Sequence, residues 1–263
     1  MYLLKRSYVK YELEMLNLFS QCQRERQIML ELQHPFISRL VCTLQDGAHV
    51  YFLEEYSIGG DILSLMERCG GSIGEGICLK IASCVLLALS ELRLRNIICR
   101  QLAPENIFID AKGYAKLGNF SRAKKLSVGS RTMTVFGVPE YMPPEQIFGS
   151  GQDTTSDLWQ FGVLIYEMLI GNTPFGSNVS STENNSTEDS RKETFSKIIL
   201  GINSNLVSML PGADVQVVVQ QLLLPQSQAR LGASDVSDLY ISAWFMDVNF
   251  NKLYERDASG LPK

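Results

Sequence analysis

Two short segments carry the polar side chains with which this chain could do chemistry. The first contains Arg100, Gln101 and Asn106, and the second contains Asn119. Amide oxygens such as those of Asn106 and Asn119 can approach a hard cation, but Mg²⁺ usually relies on one or two carboxylates. The Gln101 amide has no usable basicity near neutral pH, so it cannot serve as a general base. By themselves, these amides could offer a metal ion only weak ligands and could not act as a base.

The composition is that of an ordinary globular protein and excludes several classes. The chain has 263 residues, of which 45% are hydrophobic and 20% charged, and its net charge of −4 gives no nucleic-acid footprint. The longest apolar run, residues 163–170, is too short to span a bilayer. The six cysteines form no C-x-x-C pair and there are only two histidines, so no zinc pattern can be written. Reduced thiols of this kind predict a cytoplasmic protein.

The elements that must position these side chains follow from hydrophobic spacing and turn signals. Helical spacing predicts helices at residues 13–32, 77–94, 157–170, 192–200, 214–224 and 236–245. Strand patterns occur at residues 2–5, 40–44, 50–56, 107–109 and 115–117, the last two joined as a hairpin. The pair Gly59-Gly60 is a candidate hinge, and the Ser/Asn-rich residues 176–190 predict a disordered insertion. A small mixed part is thus expected to precede a mostly helical part.

The order of these motifs resembles the protein kinases, in particular the serine/threonine branch (AGC group) that includes the cAMP- and cGMP-dependent kinases. Lys5 and Glu25 resemble the lysine–glutamate pair of that family, and Arg100 and Asn106 resemble the arginine and metal-binding asparagine of its catalytic loop. Further matches lie at Phe120, Glu145, Asp157 and Arg230, the last expected to pair with Glu145. The resemblance implies an α+β, bilobal kinase-like fold. Residues 1–263 would form one domain, with an N-terminal lobe over residues 1–56 and a C-terminal lobe over residues 57–263.

The departures from the family pattern fall on the chemical positions. Gln101 stands where the family has its catalytic aspartate, Ala103 replaces the neighbouring lysine, and Asn119 replaces a metal-binding aspartate. Ser121 occupies a glycine position, and Val138 replaces a threonine that in this family bonds the missing aspartate and lysine. Because each change removes a separate contribution to transition-state stabilisation, together they predict loss of phosphotransfer.

Nucleotide binding is a separate question in this resemblance. The sequence begins at the family's conserved lysine, so we expect the strands that carry the Gly-rich loop to be absent and the N-terminal lobe to be truncated. Leu3 stands where the family has a small alanine above the adenine ring, and Glu54 stands at the gatekeeper position. A carboxylate beside that pocket is unfavourable unless it is paired, with Lys5 as the candidate partner. No cofactor is firmly predicted, and ATP with Mg²⁺ would apply only if the domain were active.

The recognition positions of the family survive. Asp61, Glu105 and Glu167 match the acids that hold arginines of a peptide substrate, although Glu105 and Glu167 could equally be ordinary surface acids. Thr134 matches the activation-loop phosphothreonine, and Arg100 the arginine that reads it.

Three hypotheses follow. The preferred one is a pseudokinase that binds a protein or peptide, such as an Arg-rich segment or a regulatory domain, through its C-terminal lobe. The second is an active or weakly active serine/threonine kinase that uses Lys5, Glu25 and Asn106. The third is a degenerate, truncated product with unpaired sheet edges and low stability.

Overall fold

A three-stranded antiparallel sheet and one long helix form the amino-terminal lobe. The computed structural model describes residues 2–8, 13–46, 49–176 and 187–261. Strand β1 (Tyr2–Tyr8) is followed by helix α1 (Leu13–Glu31), β2 (Leu40–Gln45) and β3 (His49–Glu55), and the sheet order is β1–β3–β2. Strand β1 extends three residues beyond the predicted strand at residues 2–5, which places Lys5 in the middle of an element that is paired along its whole length with β3.

The alternation of side chains along β3 fixes which of them face the core. Val50, Phe52 and Glu54 are buried, whereas the residues between them are only partly so, as the two-residue period of a strand requires. The register with β1 sets Lys5 opposite Phe52 and Leu3 opposite Glu54. A carboxylate therefore occupies a core-facing position of the sheet.

The carboxyl-terminal lobe is mostly helical. Its α-helices are α2 (Ile62–Arg68), α3 (Glu75–Leu94), α4 (Pro144–Ile147), α5 (Thr155–Ile170), α6 (Thr187–Leu200), α7 (Ser204–Ser208), α8 (Ala213–Leu222), α9 (Ser237–Tyr240) and α10 (Phe250–Tyr254). Its short strands are β4 (Ile97–Ile98), β5 (Ile107–Ile109), β6 (Ala115–Leu117) and β7 (Lys124–Lys125), which pair as β4–β7 and β5–β6. The α+β, bilobal fold predicted from the sequence is thus confirmed.

Helix α5 is the centre of this lobe and is buried along nearly its whole length. It ends at Gly171, whose φ of 89° is left-handed and whose N–H donates to the carbonyl of Glu167 at 2.7 Å, the usual glycine-terminated helix end. Trp159 of α5 stacks on Phe175, with ring centroids 5.2 Å apart. The side chains of this helix are therefore held in a fixed position for the site below.

Two helix predictions need correction. Helix α6 begins at Thr187 rather than at residue 192, so the last residues of the predicted loop are helical, whereas residues 177–186 lie outside the described part. Acidic residues in its first turn favour this start, as does an ion pair one turn apart between Glu188 and Lys192 at 3.5 Å. The single helix predicted at residues 236–245 is reduced to α9, because Ser242 bonds the Leu239 carbonyl through both its N–H and its hydroxyl.

No helix in the described ranges is both long and apolar enough to cross a bilayer.

Candidate functional site

An ion pair joins the sheet to the long helix of the amino-terminal lobe. Lys5 Nζ of β1 lies 2.8 Å from Glu25 Oε1 of α1, and Glu25 is 2% exposed. The same ammonium donates to Asn119 Oδ1 in the other lobe at 3.3 Å. The structure therefore brings Asn119, which stands at the family's metal-binding aspartate position, into contact with the expected Lys5–Glu25 pair.

The amides of the two chemical segments form a closed network. Asn119 Nδ2 donates to Asn106 Oδ1 at 2.7 Å, and Asn106 Nδ2 donates to the Gln101 carbonyl at 3.0 Å. The hydroxyl of Ser121 lies 2.9 Å from both Gln101 Oε1 and Asn119 Oδ1. Asn119 has a left-handed φ of 56°, a conformation that asparagine tolerates better than most residues. Each of these amide oxygens already accepts a hydrogen bond.

Ser121 is the member of this network whose role the sequence did not predict. It was recognised only as a side chain in place of a glycine, whereas its hydroxyl links Gln101 to Asn119. Its carbonyl accepts from Gln21 Nε2 of α1 at 2.8 Å, so the network is also attached to the helix that carries Glu25. Ala103, at the degenerate lysine position, is buried and contributes no polar group.

The backbone around Arg100 is fixed by a buried aspartate. Asp157, in the first turn of α5, accepts from the N–H groups of Cys99 and Arg100 at 2.8 and 2.9 Å. Burial raises the pKa of the Asp157 carboxyl to about 6, against the lowering effect of these two hydrogen bonds. Arg100 has a φ of 65°, so this contact holds the loop in an uncommon conformation.

The Arg100 guanidinium belongs to a basic cluster that also contains Arg24, Arg122 and Lys124. Its Nε donates to the Arg122 carbonyl at 2.8 Å, its Cζ lies 4.4 Å from the centre of the Phe136 ring, and its Nη1 is buried without a hydrogen-bond partner in the described residues. The pKa of Arg100 is lowered to about 10, mainly by burial and also by the charges of Arg24 and Arg122, against the raising effect of the Asp157 carboxylate. The positive charge of this cluster favours an anionic partner.

Thr134 is exposed near this cluster, and no hydrogen bond joins it to Arg100 within the described ranges. Its hydroxyl lies 3.5 Å from that of Thr132, which accepts from Lys124 Nζ at 3.1 Å. The sequence analysis did not single out Lys124 as a member of this group. The sequence signal that could have indicated Lys124 is its position two residues after Arg122 in a basic run.

The buried side chain of Tyr141 in the carboxyl-terminal lobe lies within the electrostatic influence of three glutamates. Tyr141 donates its hydroxyl proton to Glu167. Burial raises the pKa of the Glu167 carboxyl, the hydrogen bond from Tyr141 lowers it, and the charges of Glu105 and Glu140 raise it. Glu140, which the sequence analysis missed, also accepts from a threonine hydroxyl. These residues are called the acidic groove below: Glu105, Glu140 and Glu167.

Asp61 stands apart from most of this groove. Its carboxylate accepts from the Ser64 N–H at 2.7 Å and so caps α2. With Glu105, Asp61 lines a cavity of about 530 Å³ between the lobes, whereas Glu140 and Glu167 line a separate cavity of about 800 Å³. The predicted recognition acids Glu105 and Glu167 thus line different cavities, and the charge of Glu105 acts on Glu167 by raising the pKa of its carboxyl.

Comparison with known proteins agrees with this geometry. The protein kinase domain family matches residues 2–242. A cGMP-dependent protein kinase of Eimeria tenella is 36% identical over 252 residues, covering 94% of this chain and 24% of that protein. The cGMP-dependent protein kinase of Toxoplasma gondii is 38% identical over 242 residues, covering 90% of this chain and 22% of that protein. The cGMP-dependent protein kinase 2 of Mus musculus is 44% identical over 151 residues, covering 57% of this chain and 20% of that protein. The chain spans about a quarter or less of the length of these curated relatives.

Proposed function

The chain belongs to the protein kinase domain family, and from that premise we propose that it is a pseudokinase, a kinase-fold domain that binds a protein or peptide without transferring phosphate. The observation that carries the proposal is the closed network of Gln101, Asn106, Asn119 and Ser121. It occupies the positions where phosphotransfer needs a general base and metal ligands. The polar groups there bond one another, and none of them is a carboxylate.

The residues present do not fit ATP with Mg²⁺, the pair that active members of this family use. The two candidate metal ligands, Asn106 and Asn119, are neutral amides whose oxygens already accept hydrogen bonds at 2.7 and 3.3 Å. A hard cation would have to displace those bonds without gaining a carboxylate in return. Glu54 adds a negative charge to the cavity that would hold the nucleotide. We therefore assign no metal-dependent step to this domain.

The acidic groove supports binding of an Arg-rich partner. The charges of Glu105 and Glu140 both raise the pKa of Glu167, so each of them repels the Glu167 carboxylate in the free protein. A guanidinium placed among them would relieve that repulsion and gain charge-assisted hydrogen bonds. The proposed partner is therefore a protein or peptide segment with neighbouring arginines, supplied by a regulatory domain or by another protein.

Charge removal in the groove tests the proposal. An Arg-Arg-containing peptide is expected to bind the Glu105→Gln/Glu167→Gln variant about 10-fold or more weakly than the wild type, because charge-assisted hydrogen bonds are lost. Isothermal titration calorimetry at low and at physiological salt measures the change. Glutamine keeps an acceptor for Tyr141, so the packing is preserved.

The matched control removes two exposed acids elsewhere in the lobe, as Asp238→Asn/Asp247→Asn. It is expected to bind the peptide like the wild type. Equal affinity in all three proteins would remove the groove from the proposed function.

A weakly active kinase is the second candidate, and the Lys5–Glu25 ion pair of 2.8 Å favours it. This pair has the arrangement that a catalytically competent kinase requires. The same ammonium, however, also bonds Asn119 at 3.3 Å, so it takes part in the closed network.

We further propose that phosphorylation of Thr134 orders its loop through the basic cluster of Arg100. A phosphate there would offer acceptors to the unpartnered Nη1 of Arg100 and to Lys124. The chain carrying phosphothreonine at position 134 is expected to melt about 3–10 °C higher than the unmodified chain, from one or two charge-assisted bonds. Differential scanning fluorimetry measures this gain.

Two comparisons make the Thr134 result specific. Phosphoserine at the exposed Ser130 adds the same charge to the same loop and is expected to give no gain. In the Arg100→Gln background the difference between modified and unmodified chains should largely disappear. A gain of equal size at Ser130, or one that survives Arg100→Gln, would contradict the role of Arg100.

A further inference from the structure

The cavity between the lobes has an unusual wall. Leu3 and Lys5 of β1 and Glu54 of β3 contribute from the sheet side, and Asn106 and Phe108 contribute from the carboxyl-terminal lobe. Its volume of about 530 Å³ is within the range of small-molecule sites. The question is which ligand chemistry this wall would accept.

Among the groups that line this cavity, the Glu54 carboxylate has no hydrogen-bond or ion-pair partner in the described residues. Glu54 is 6% exposed. The nearby ammonium of Lys5 is held by Glu25 at 2.8 Å and by Asn119 at 3.3 Å. Burial raises the pKa of the Glu54 carboxyl, Lys5 lowers it and Glu25 raises it. A buried carboxylate without a partner is a strongly unfavourable arrangement unless a ligand supplies one.

The balance of charge in the cavity points the same way. Four lining side chains are carboxylates, namely Glu54, Glu55, Asp61 and Glu105. Among the described residues that line the cavity, Lys5 is the only one with a cationic side chain. Of the four, Glu55 is paired with Lys116 at 2.8 Å. A low-dielectric cleft of this sign repels phosphates and concentrates cations. This is the opposite of what a nucleoside triphosphate needs.

We propose that this cavity binds a flat organic monocation of the amidinium or aryl-ammonium class, with its charged end on Glu54 and its apolar body against Leu3 and Phe108. Leu3 is the cross-strand neighbour of Glu54, so the apolar and the anionic contacts lie side by side. A charged donor on Glu54 gains a charge-assisted hydrogen bond. The proposal goes beyond the acidic groove, because it rests on Glu54, which is not part of that groove, although Glu105 lines this cavity as well.

The test uses benzamidinium and its neutral isostere benzamide, measured by calorimetry on the full chain. Benzamidinium is expected to bind about 10–100-fold more tightly than benzamide, the worth of one hydrogen bond to a charged group. Glu54→Gln should reduce benzamidinium affinity by a similar factor, whereas Asp247→Asn should not change it. ATP is expected to give no binding heat.

Further measurements keep the outcome decisive. Amide chemical-shift mapping on the wild type should place the benzamidinium site at residues 54, 106 and 119, which needs no variant to fold. Glu167→Gln should leave benzamidinium affinity unchanged and Glu54→Gln should leave peptide affinity unchanged, so that failure of one proposal is distinguishable from failure of the other. Equal affinity for the two probes, or an unaltered affinity in Glu54→Gln, would overturn the cation site.

Discussion

Incubation of the purified chain with ATP, Mg²⁺ and an Arg-rich serine peptide is expected to leave the peptide unphosphorylated. Loss of a general base at Gln101 alone lowers the rate by about 10²–10⁴-fold. The amides of Asn106 and Asn119 bond each other at 2.7 Å instead of presenting a carboxylate to a metal, which removes a second contribution to transition-state stabilisation. Labelled phosphate in the peptide, followed over hours, measures the residual rate.

Two lysine variants give this experiment its control. Lys5→Met removes the ion pair with Glu25, and Lys112→Met removes an exposed lysine of the β5–β6 turn. We expect both variants to match the wild type at the background rate. Phosphate transfer that Lys5→Met abolishes and Lys112→Met preserves would instead establish the chain as an active kinase.

The parts of the fold that the sequence predicts are those with a local cause. Helix α5 follows from continuous apolar spacing that ends at Gly171, and the β5–β6 hairpin follows from its turn residues. The start of α6 and the shortness of α9 were missed, because first-turn acids and a side-chain hydroxyl decide these boundaries. A helix end is decided by a few local interactions of single residues, whereas the helix itself is indicated by the spacing of many residues, so the helix is easier to predict than its ends.

Some contacts of the candidate site could likewise be predicted from the sequence and others could not. Resemblance to kinase motifs was enough to group Lys5 with Glu25 and Asn119, and the structure places them in contact. It could not predict that Ser121 links Gln101 to Asn119, since that contact depends on a left-handed backbone at residue 119. Nor could it place Glu140 beside Glu167, because long-range folding brings these residues together. Polar contacts across distant segments leave no periodic signal in the sequence.

Replacement of Arg230 by methionine is expected to destabilise the carboxyl-terminal lobe by about 3–5 kcal/mol, the usual effect of breaking a buried ion pair. The Arg230 side chain is 0% exposed, and its two terminal nitrogens lie 2.8 and 2.6 Å from the two carboxylate oxygens of Glu145. Its Nε donates to the Leu224 carbonyl at 2.9 Å, and Nη1 also donates to the Thr155 carbonyl at 3.0 Å. The substitution strands a buried carboxylate and removes a donor from three carbonyls, those of Leu224, Thr155 and Pro225. It should lower the melting temperature by about 6–20 °C.

The double variant Arg230→Met/Glu145→Leu separates the stranded charge from the lost packing. Replacing both partners of a buried pair by apolar groups is often close to neutral, so the double variant should melt higher than Arg230→Met alone. It should remain below the wild type, because the Ser156 hydroxyl loses its acceptor, Glu145 Oε1, at 2.7 Å and the Leu224 carbonyl loses its donor. A double variant less stable than the single one would mean that Glu145 stabilises the lobe mainly through contacts other than its pair with Arg230, such as the Ser156 hydrogen bond. A melting temperature for Arg230→Met within 2 °C of the wild type would show that the buried pair does not hold the lobe together.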